Sequence, residues 1–143
     1  MTRVELEHRF ATPLRAGFDY ITAIENWPAY WPDLVSVDDG SRWAESGDRA
    51  KLVLRLLGRE FELALTLEQL EPYRFVGYSS TQRGLPDAHH ERHFTEAGEG
   101  FDYRLVVEYE PRPGARGLFD RLVVRRAIAR ALRRTVRNLE REL

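Results

Sequence analysis

The stretch that decides the fold begins at Gly114 and ends at Leu143, and it reads GARGLFDRLVVRRAIARALRRTVRNLEREL. It has no Pro or Gly after Gly117, so it predicts one long C-terminal helix at 115–142. In a helical projection, one face collects these apolar side chains: Leu118, Leu122, Ala129, Leu132, Val136, Leu139 and Leu143. Arginines occupy the flank, which makes the helix amphipathic and predicts that it lies on an apolar surface.

The chain before this helix is dominated by strand patterns. Residues 2–11 alternate between apolar and polar side chains, and so does Glu60–Leu70. Turns rich in Gly and Pro separate further strands, which are predicted at 34–43, 49–57, 73–82, 88–96 and 101–110. Helical spacing between prolines predicts two short helices within 13–32. Because short turns favour antiparallel pairing, we expect an α+β fold in which a seven-stranded antiparallel sheet wraps around the C-terminal helix.

The composition narrows the class of protein. With 143 residues, the chain is expected to form a single domain over 1–143. It contains no cysteine, which excludes disulfides, thiolate metal sites and cysteine nucleophiles. No apolar run reaches the length of a membrane span, and the first ten residues do not resemble a signal peptide. We therefore expect a cytoplasmic protein without an integral membrane segment.

Charge is distributed unevenly along the chain. Residues 111–143 hold ten Arg against three acids, a net charge of +7, while residues 1–110 carry −8. A basic helix could bind nucleic acid, an anionic membrane or a protein partner. A solvated arginine face is the more common reason for such a pattern. Because no nucleic-acid-binding motif accompanies the helix, we expect no nucleic-acid partner.

The order of the elements and three stretches resemble a known family. The stretches are Ala11-Thr12-Pro13, the run IENWPAYWP at 24–32, and GLFDRLVVRR at 117–126 running into ALRRT at 131–135. The chain resembles the START-like (SRPBCC) superfamily of helix-grip proteins, and within it the polyketide cyclase/dehydrase and lipid-transport group. This resemblance implies a deep, largely apolar cavity between sheet and helix. It does not fix an activity, because the superfamily includes cyclases, hydrolases, lipid carriers and ligand sensors.

Side-chain alternation predicts which residues line this cavity, since a curved sheet closed by one helix offers more apolar surface than the helix can fill. The sheet should contribute Phe61, Leu63, Phe75, Phe94, Tyr103 and Leu105, and the helix Leu118 and Leu122. An aromatic corner made of Trp27, Tyr30 and Trp31 should stand at the mouth, where its rings either contact the ligand or only pack. Arg125 either places a cation at the cavity wall or extends to its rim.

The run His89-His90-Glu91-Arg92-His93 holds the best candidates for chemistry. Phe94 should face inward, and alternation then turns His90 and Arg92 inward as well. His89, Glu91 and His93 share the other face and point to solvent, so no metal site is expected. Arg92 would hold a carbonyl or carboxylate, and His90 would orient it or move a proton. The alternative is that both side-chain tips lie in solvent at the open end of the strand.

Three functions remain open from the sequence. The first is binding of a small hydrophobic ligand such as a lipid, a quinone or a polyketide. The second is a polyketide aromatase/cyclase or dehydratase acting on a bound polyketide, with His90 and Arg92 as catalytic candidates. The third is a protein-partner module that uses the basic helix face. The sequence has no glycine-rich phosphate loop or nucleotide fingerprint, so no cofactor is expected. The protein is expected to be a monomer or a homodimer.

Overall fold

Seven antiparallel strands form one sheet in the computed structural model, which describes residues 1–56 and 58–143. The strand order is β1-β7-β6-β5-β4-β3-β2. The strands are β1 (Thr2–Phe10), β2 (Leu34–Val37), β3 (Arg49–Leu56), β4 (Arg59–Glu71), β5 (Phe75–Gln82), β6 (Ala88–Ala97) and β7 (Gly100–Tyr109). The third predicted strand extends to Leu57, which lies outside the described residues. The predicted architecture is confirmed.

The helices between β1 and β2 also follow the prediction. They are α1 (Leu14–Thr22) and α2 (Trp27–Tyr30), with a single 3₁₀ turn (Ile24–Asn26) between them. Helix α1 comes very close to the sheet at Gly17, where a Cβ atom would lie 2.3 Å from the Phe101 ring. A side chain at Gly17 would therefore push α1 away from β7.

The core lies between the concave face of the sheet and the C-terminal helix. From that helix, Leu132, Val136 and Leu139 are buried, as the helical projection predicts for them. Leu65 and Leu105 are among the sheet residues in the same apolar cluster. Burying one such side chain stabilises the fold by about 1.5–3 kcal/mol, so this seam is a principal source of stability.

The C-terminal helix is not a uniform α-helix, which corrects the projection of its first turns. It consists of α3 (Ala115–Phe119), a π-helical segment (Asp120–Val124) and α4 (Arg125–Glu142). A π-helical turn contains about one more residue than an α-helical turn, so it shifts the upstream side chains by about one position. Leu118 and Leu122, predicted to face the core, are 62% and 51% exposed. Gly117, Asp120 and Val124 are buried in their place.

The second predicted strand is shorter than expected. It ends at Val37, and the chain continues through a loop to Arg49. Trp43 in this loop is nevertheless buried. Its ring packs edge-on against Trp27 and Tyr78, with centroids 5.3 Å away in both cases. The loop therefore closes the concave side of the sheet with an aromatic side chain.

Candidate functional site

A cavity of about 170 Å³ lies between the concave face of the sheet, α2 and the C-terminal helix. Its wall is mostly apolar, with polar groups concentrated on β5 and β6. Helix residues that line it include Val124, Ala127, Ile128, Ala131 and Leu132. The cavity therefore occupies the position that the sequence predicts, between sheet and helix.

Most of the predicted lining residues face this cavity. They are Trp27, Tyr30, Trp31, Phe61, Leu63, His90, Arg92, Phe94 and Tyr103. His90 and Arg92 face inward because they share a strand face with the buried Phe94. Whether these residues bind a ligand stays a prediction.

Five predicted residues do not line the cavity. Leu118, Leu122 and Arg125 are exposed. The π-helical segment shifts the two leucines out of the buried face, and Arg125 lies after this segment on the exposed side of α4. Leu105 faces inward but is fully buried in the apolar core. Phe75 lies opposite His93 on the other face of the sheet, with ring centroids 5.0 Å apart.

The sequence prediction assigns the two faces of β5 the wrong way round, with Phe75 facing the cavity. Val76, Tyr78 and Ser80 face the cavity instead, and none of them was predicted there. The sequence FVGYSS does not separate the two faces, because Phe75 and Tyr78 are both large and lie on opposite sides. Pairing of β5 with β6 settles the choice, since Tyr78 lies directly opposite His90.

Arg92 is a cation in the cavity wall without an acidic partner. Its guanidinium donates to the Tyr78 hydroxyl (3.1 Å) and to the backbone carbonyls of Glu91 (3.1 Å) and Val106 (3.5 Å). The guanidinium also lies 5.5 Å from the centre of the Tyr78 ring. Among the described residues, no ion pair involves Arg92. A buried charge held only by dipoles and a ring favours an anionic or strongly dipolar ligand atom beside it.

His90 lies next to Arg92 and is held by two neighbours. Its ring stacks on Tyr78, with centroids 4.5 Å apart and planes at 3°. Its Nε2 atom is 2.8 Å from the Ser80 Oγ atom. Burial, and then the positive charge of Arg92, hold the pKa of His90 well below its ordinary value of 6.5. The imidazole is therefore neutral at pH 7 and is a weaker base than an exposed histidine.

The Nδ1 atom of His90 has no hydrogen-bond partner among the described residues, although it is buried. It is a donor or an acceptor, depending on whether the Ser80 hydroxyl donates to Nε2 or accepts from it. Buried polar atoms of this kind are normally paired, so the unpaired nitrogen costs stability. A ligand or a water molecule that pairs with it would recover that cost.

Two polar groups of the aromatic corner, those of Trp27 and Tyr30, already have hydrogen-bond partners. The Tyr30 hydroxyl donates to the backbone carbonyl of Ile21 (2.7 Å), and the Trp27 indole donates to the same oxygen (3.3 Å). Burial raises the pKa of Tyr30 well above its ordinary value, so its hydroxyl stays protonated. Trp27 and Tyr30 therefore offer apolar ring surface to the cavity, and Arg92 and His90 on β6 offer polar groups.

The remaining histidines of the run lie on the outer face of the sheet. Glu91 bonds to His93 (2.8 Å) and His89 (3.2 Å), and His89 also bonds to Glu68 (3.1 Å). No group of three or more acidic, His or Cys side chains in the described part of the chain is arranged to hold a metal ion. These residues instead form a hydrogen-bonded network across β4 and β6.

Replacing His90 with glutamine should make the fold less sensitive to acid. As the pH falls below about 6.5, His90 takes up a proton in the unfolded wild type but stays neutral in the folded protein. Unfolding of the wild type therefore becomes easier by up to about 1.4 kcal/mol per pH unit, and the variant lacks this contribution. The free energy of unfolding of the wild type relative to the variant should fall as the pH drops and stay constant above about 6.5.

Urea unfolding at several pH values measures this difference. His89→Gln, on the outer face of the same strand, is the matched control for the loss of a histidine. A difference between the wild type and His90→Gln that does not change with pH would contradict the prediction.

Among the described residues, no helix is long and apolar enough to span a membrane.

Comparisons with known proteins agree with this fold. A sequence model of the family described as "Polyketide cyclase / dehydrase and lipid transport" matches residues 1–143. No curated protein matches the chain. The fold is similar to that of TTHA0849 from Thermus thermophilus, with a TM-score of 0.82, 18% identity, and coverage of 98% of this chain and 95% of that one.

Two further solved structures show the same fold. A START superfamily protein from Mycobacterium smegmatis has a TM-score of 0.78 and 12% identity, with 98% of this chain and 95% of that chain covered. DynU16, a putative protein in the dynemicin biosynthetic locus, has a TM-score of 0.69 and 14% identity over 96% of this chain and 47% of its own. This chain therefore spans about half of DynU16. At these identities, the likeness shows the fold alone.

Proposed function

We propose that this chain, which belongs to the polyketide cyclase/dehydrase and lipid transport family of START-like (SRPBCC) proteins, binds a small hydrophobic ligand that carries an oxygen atom. Family membership indicates a hydrophobic ligand, and the oxygen is inferred from the polar groups of the cavity. The ligand would lie between the sheet and the C-terminal helix, with its oxygen at Arg92.

The observation that carries this proposal is that Arg92, a cation in a mostly apolar wall, forms no ion pair among the described residues. The guanidinium of Arg92 has N–H groups that can donate to a ligand, and one of them donates to the Tyr78 hydroxyl. Burial raises the pKa of Tyr78, so this hydroxyl keeps its proton and can donate as well. Together they make a small donor site for a carbonyl or carboxylate oxygen. Trp27, Trp43 and Phe94 offer apolar ring surface to the rest of the ligand.

The size of the cavity limits the part of the ligand that it can enclose. An apolar protein cavity of about 150 Å³ is large enough for benzene. A cavity of about 170 Å³ therefore fits one ring with a few substituents. A quinone ring or one ring of a polyketide meets this limit, and a longer chain would have to extend beyond the cavity.

A second candidate function is a cyclase or dehydratase reaction on the bound ligand. The observation in its favour is a neutral imidazole next to a guanidinium, at His90 and Arg92. His90 would accept a proton from the carbon next to a carbonyl, while Arg92 stabilises the enolate oxygen. The enolate carbon would then form a bond to a second carbonyl carbon of the same ligand, and the proton would return to the new alkoxide.

Native mass spectrometry of the purified protein tests the ligand proposal, with Ala131→Phe as the decisive variant. Ala131 lines the cavity, so a phenyl ring at this position should fill part of the space and displace the ligand. We expect the wild type to carry a bound small molecule, or to take up benzene when this probe is added, and Ala131→Phe to bind neither.

Arg133→Phe is the matched control, because it adds the same ring at an exposed position of the same helix. It should bind like the wild type. If Ala131→Phe bound the same molecule with the same affinity, or if the wild type bound neither a cellular molecule nor the probe, the cavity would not be a ligand site.

A further inference from the structure

An exposed apolar patch lies on the first turns of the C-terminal helix, beside the cavity wall. It consists of Leu118, Phe119, Leu122 and Val123, which are 62%, 40%, 51% and 39% exposed. Six large apolar side chains are exposed in the described part of the chain, and four of them fall within this segment. Such clustering differs from the scattered apolar side chains that every protein surface has, and it marks an interaction surface.

The exposure of the patch is built into the fold. The carboxylate of Asp120 is fully buried and accepts bonds from the backbone N–H (2.7 Å) and the guanidinium of Arg112 (2.8 and 3.0 Å). The Tyr109 hydroxyl donates to the backbone carbonyl of Asp120 (2.7 Å). These contacts fix the π-helical segment with Val124 inward, and the patch residues must then point outward.

The exposed charges within residues 115–126 all have one sign. Arg116, Arg121, Arg125 and Arg126 are exposed next to the patch. None of the ion pairs formed by the described residues includes any of these four arginines. Asp120 is the one acid between residues 115 and 126, and Arg112 neutralises it inside the fold. The surface presented outward is therefore apolar and carries four positive charges.

We propose that this patch docks on the surface of an anionic lipid bilayer. An apolar stripe flanked by arginines is the pattern that places a helix in the headgroup region, where apolar side chains enter the acyl boundary and arginines contact lipid phosphates. A second copy of this chain is a poorer occupant, because two such patches would bring four positive charges against four. The absence of exposed acids between residues 115 and 126 fits an anionic surface.

The location of the patch suggests what the docking does for the protein: it brings the bilayer close to the cavity. Val124, Ala127 and Ile128 line the cavity from the same helix that carries the patch. A bilayer on the patch would therefore lie next to the cavity wall, and a hydrophobic ligand could pass between them with little exposure to water. This use depends on the proposed ligand binding, but the docking itself does not.

Co-sedimentation of the full chain with lipid vesicles tests the docking. We expect binding to phosphatidylcholine vesicles that contain about 30% phosphatidylglycerol, and at least tenfold weaker binding to pure phosphatidylcholine. Leu118→Ser combined with Leu122→Ser should weaken binding to the anionic vesicles tenfold or more, because the apolar contact is lost. Arg121→Gln combined with Arg125→Gln should have an effect of similar size, and added salt should weaken the binding of the wild type.

The chain offers a matched control for each pair. Val35→Ser removes an apolar side chain that is 50% exposed on β2, away from the patch. Arg42→Gln with Arg49→Gln removes the same charge at exposed positions near Trp43. Both controls should bind vesicles like the wild type.

Two results would overturn the proposal. One is wild-type binding that is absent or insensitive to both patch variants. The other is a dimer in sedimentation velocity that the leucine variant converts to a monomer, which would assign the patch to a second copy. Because vesicle binding needs no ligand, its failure is distinguishable from a failure of the proposed ligand site.

Discussion

Replacing Asp120 with alanine should lower the free energy of unfolding by about 3–5 kcal/mol. The carboxylate is fully buried and bonds to both the backbone and the guanidinium of Arg112, whose side chain is 22% exposed. Alanine would leave a largely buried cation and a backbone N–H without their acceptor. The π-helical segment would lose the contact that fixes its position. Urea unfolding at pH 7 measures the change.

The pH dependence of this effect has a definite sign. Hydrogen bonds from Arg112 hold the pKa of Asp120 below its ordinary value of 3.8. The ionised carboxylate therefore stabilises the folded state above that value, and the contribution is lost as the pH falls through the lowered pKa. The difference between the wild type and Asp120→Ala should consequently be full at neutral pH and shrink in strong acid.

Asp102→Ala is the matched control. Asp102 also accepts two bonds from one arginine, Arg9 (2.7 and 3.1 Å), but the Arg9 side chain is 72% exposed. Exposed pairs of this kind contribute little to stability, because solvent screens the charges, so Asp102→Ala should cost much less than Asp120→Ala. Equal losses in the two variants would mean that burial of Asp120 adds nothing to its ion pair.

Replacing Arg92 with leucine should weaken the binding of an oxygen-bearing ligand about ten- to a hundredfold, and the melting temperature should stay the same or rise. A hydrogen bond to a charged group is worth about 1.5–3 kcal/mol, which corresponds to this range of affinity. The stability should not fall, because leucine removes a cation that has no acidic partner from an apolar wall. Calorimetric titration with benzoate and thermal melts measure the two effects.

Benzene is the matched probe for this experiment, because it has the same ring without the carboxylate. Its affinity should change little in Arg92→Leu. Arg104→Leu, on the outer face of β7, should bind both probes like the wild type. Equal losses for the two probes together with a lower melting temperature would show that Arg92 supports the cavity wall and does not hold an oxygen.

The sequence predicts which face of a strand points inward when large apolar side chains lie on only one of its two faces. Phe94 orients β6, and this single residue places His90 and Arg92 correctly. On β5, Phe75 and Tyr78 lie on opposite faces and are of similar size, so alternation alone cannot choose between them. The choice depends on pairing with β6, which is a contact between strands and leaves no pattern within β5.

Two other features depend on contacts that a periodic pattern does not contain. The π-helical segment begins at Asp120, whose carboxylate bonds to Arg112, and no periodic pattern contains that contact. A helical projection assumes a constant angle per residue and therefore misplaces Leu118 and Leu122. Trp43 reaches the cavity from a loop, where no regular spacing predicts the direction of a side chain.

The pairing of β1 with β7 also shapes how the chain folds. Strands β2 to β7 each pair with their neighbour in sequence, so this part of the sheet can form hairpin by hairpin. Strand β1 instead pairs with β7 from Thr2 opposite Tyr109 to Phe10 opposite Phe101, across about a hundred residues. Closing a loop of that length is entropically costly, so we expect β1 to dock late and to set the folding rate. Until it docks, the edge of β7 is open, and this is the interval in which the folding chain is most exposed to pairing with another molecule.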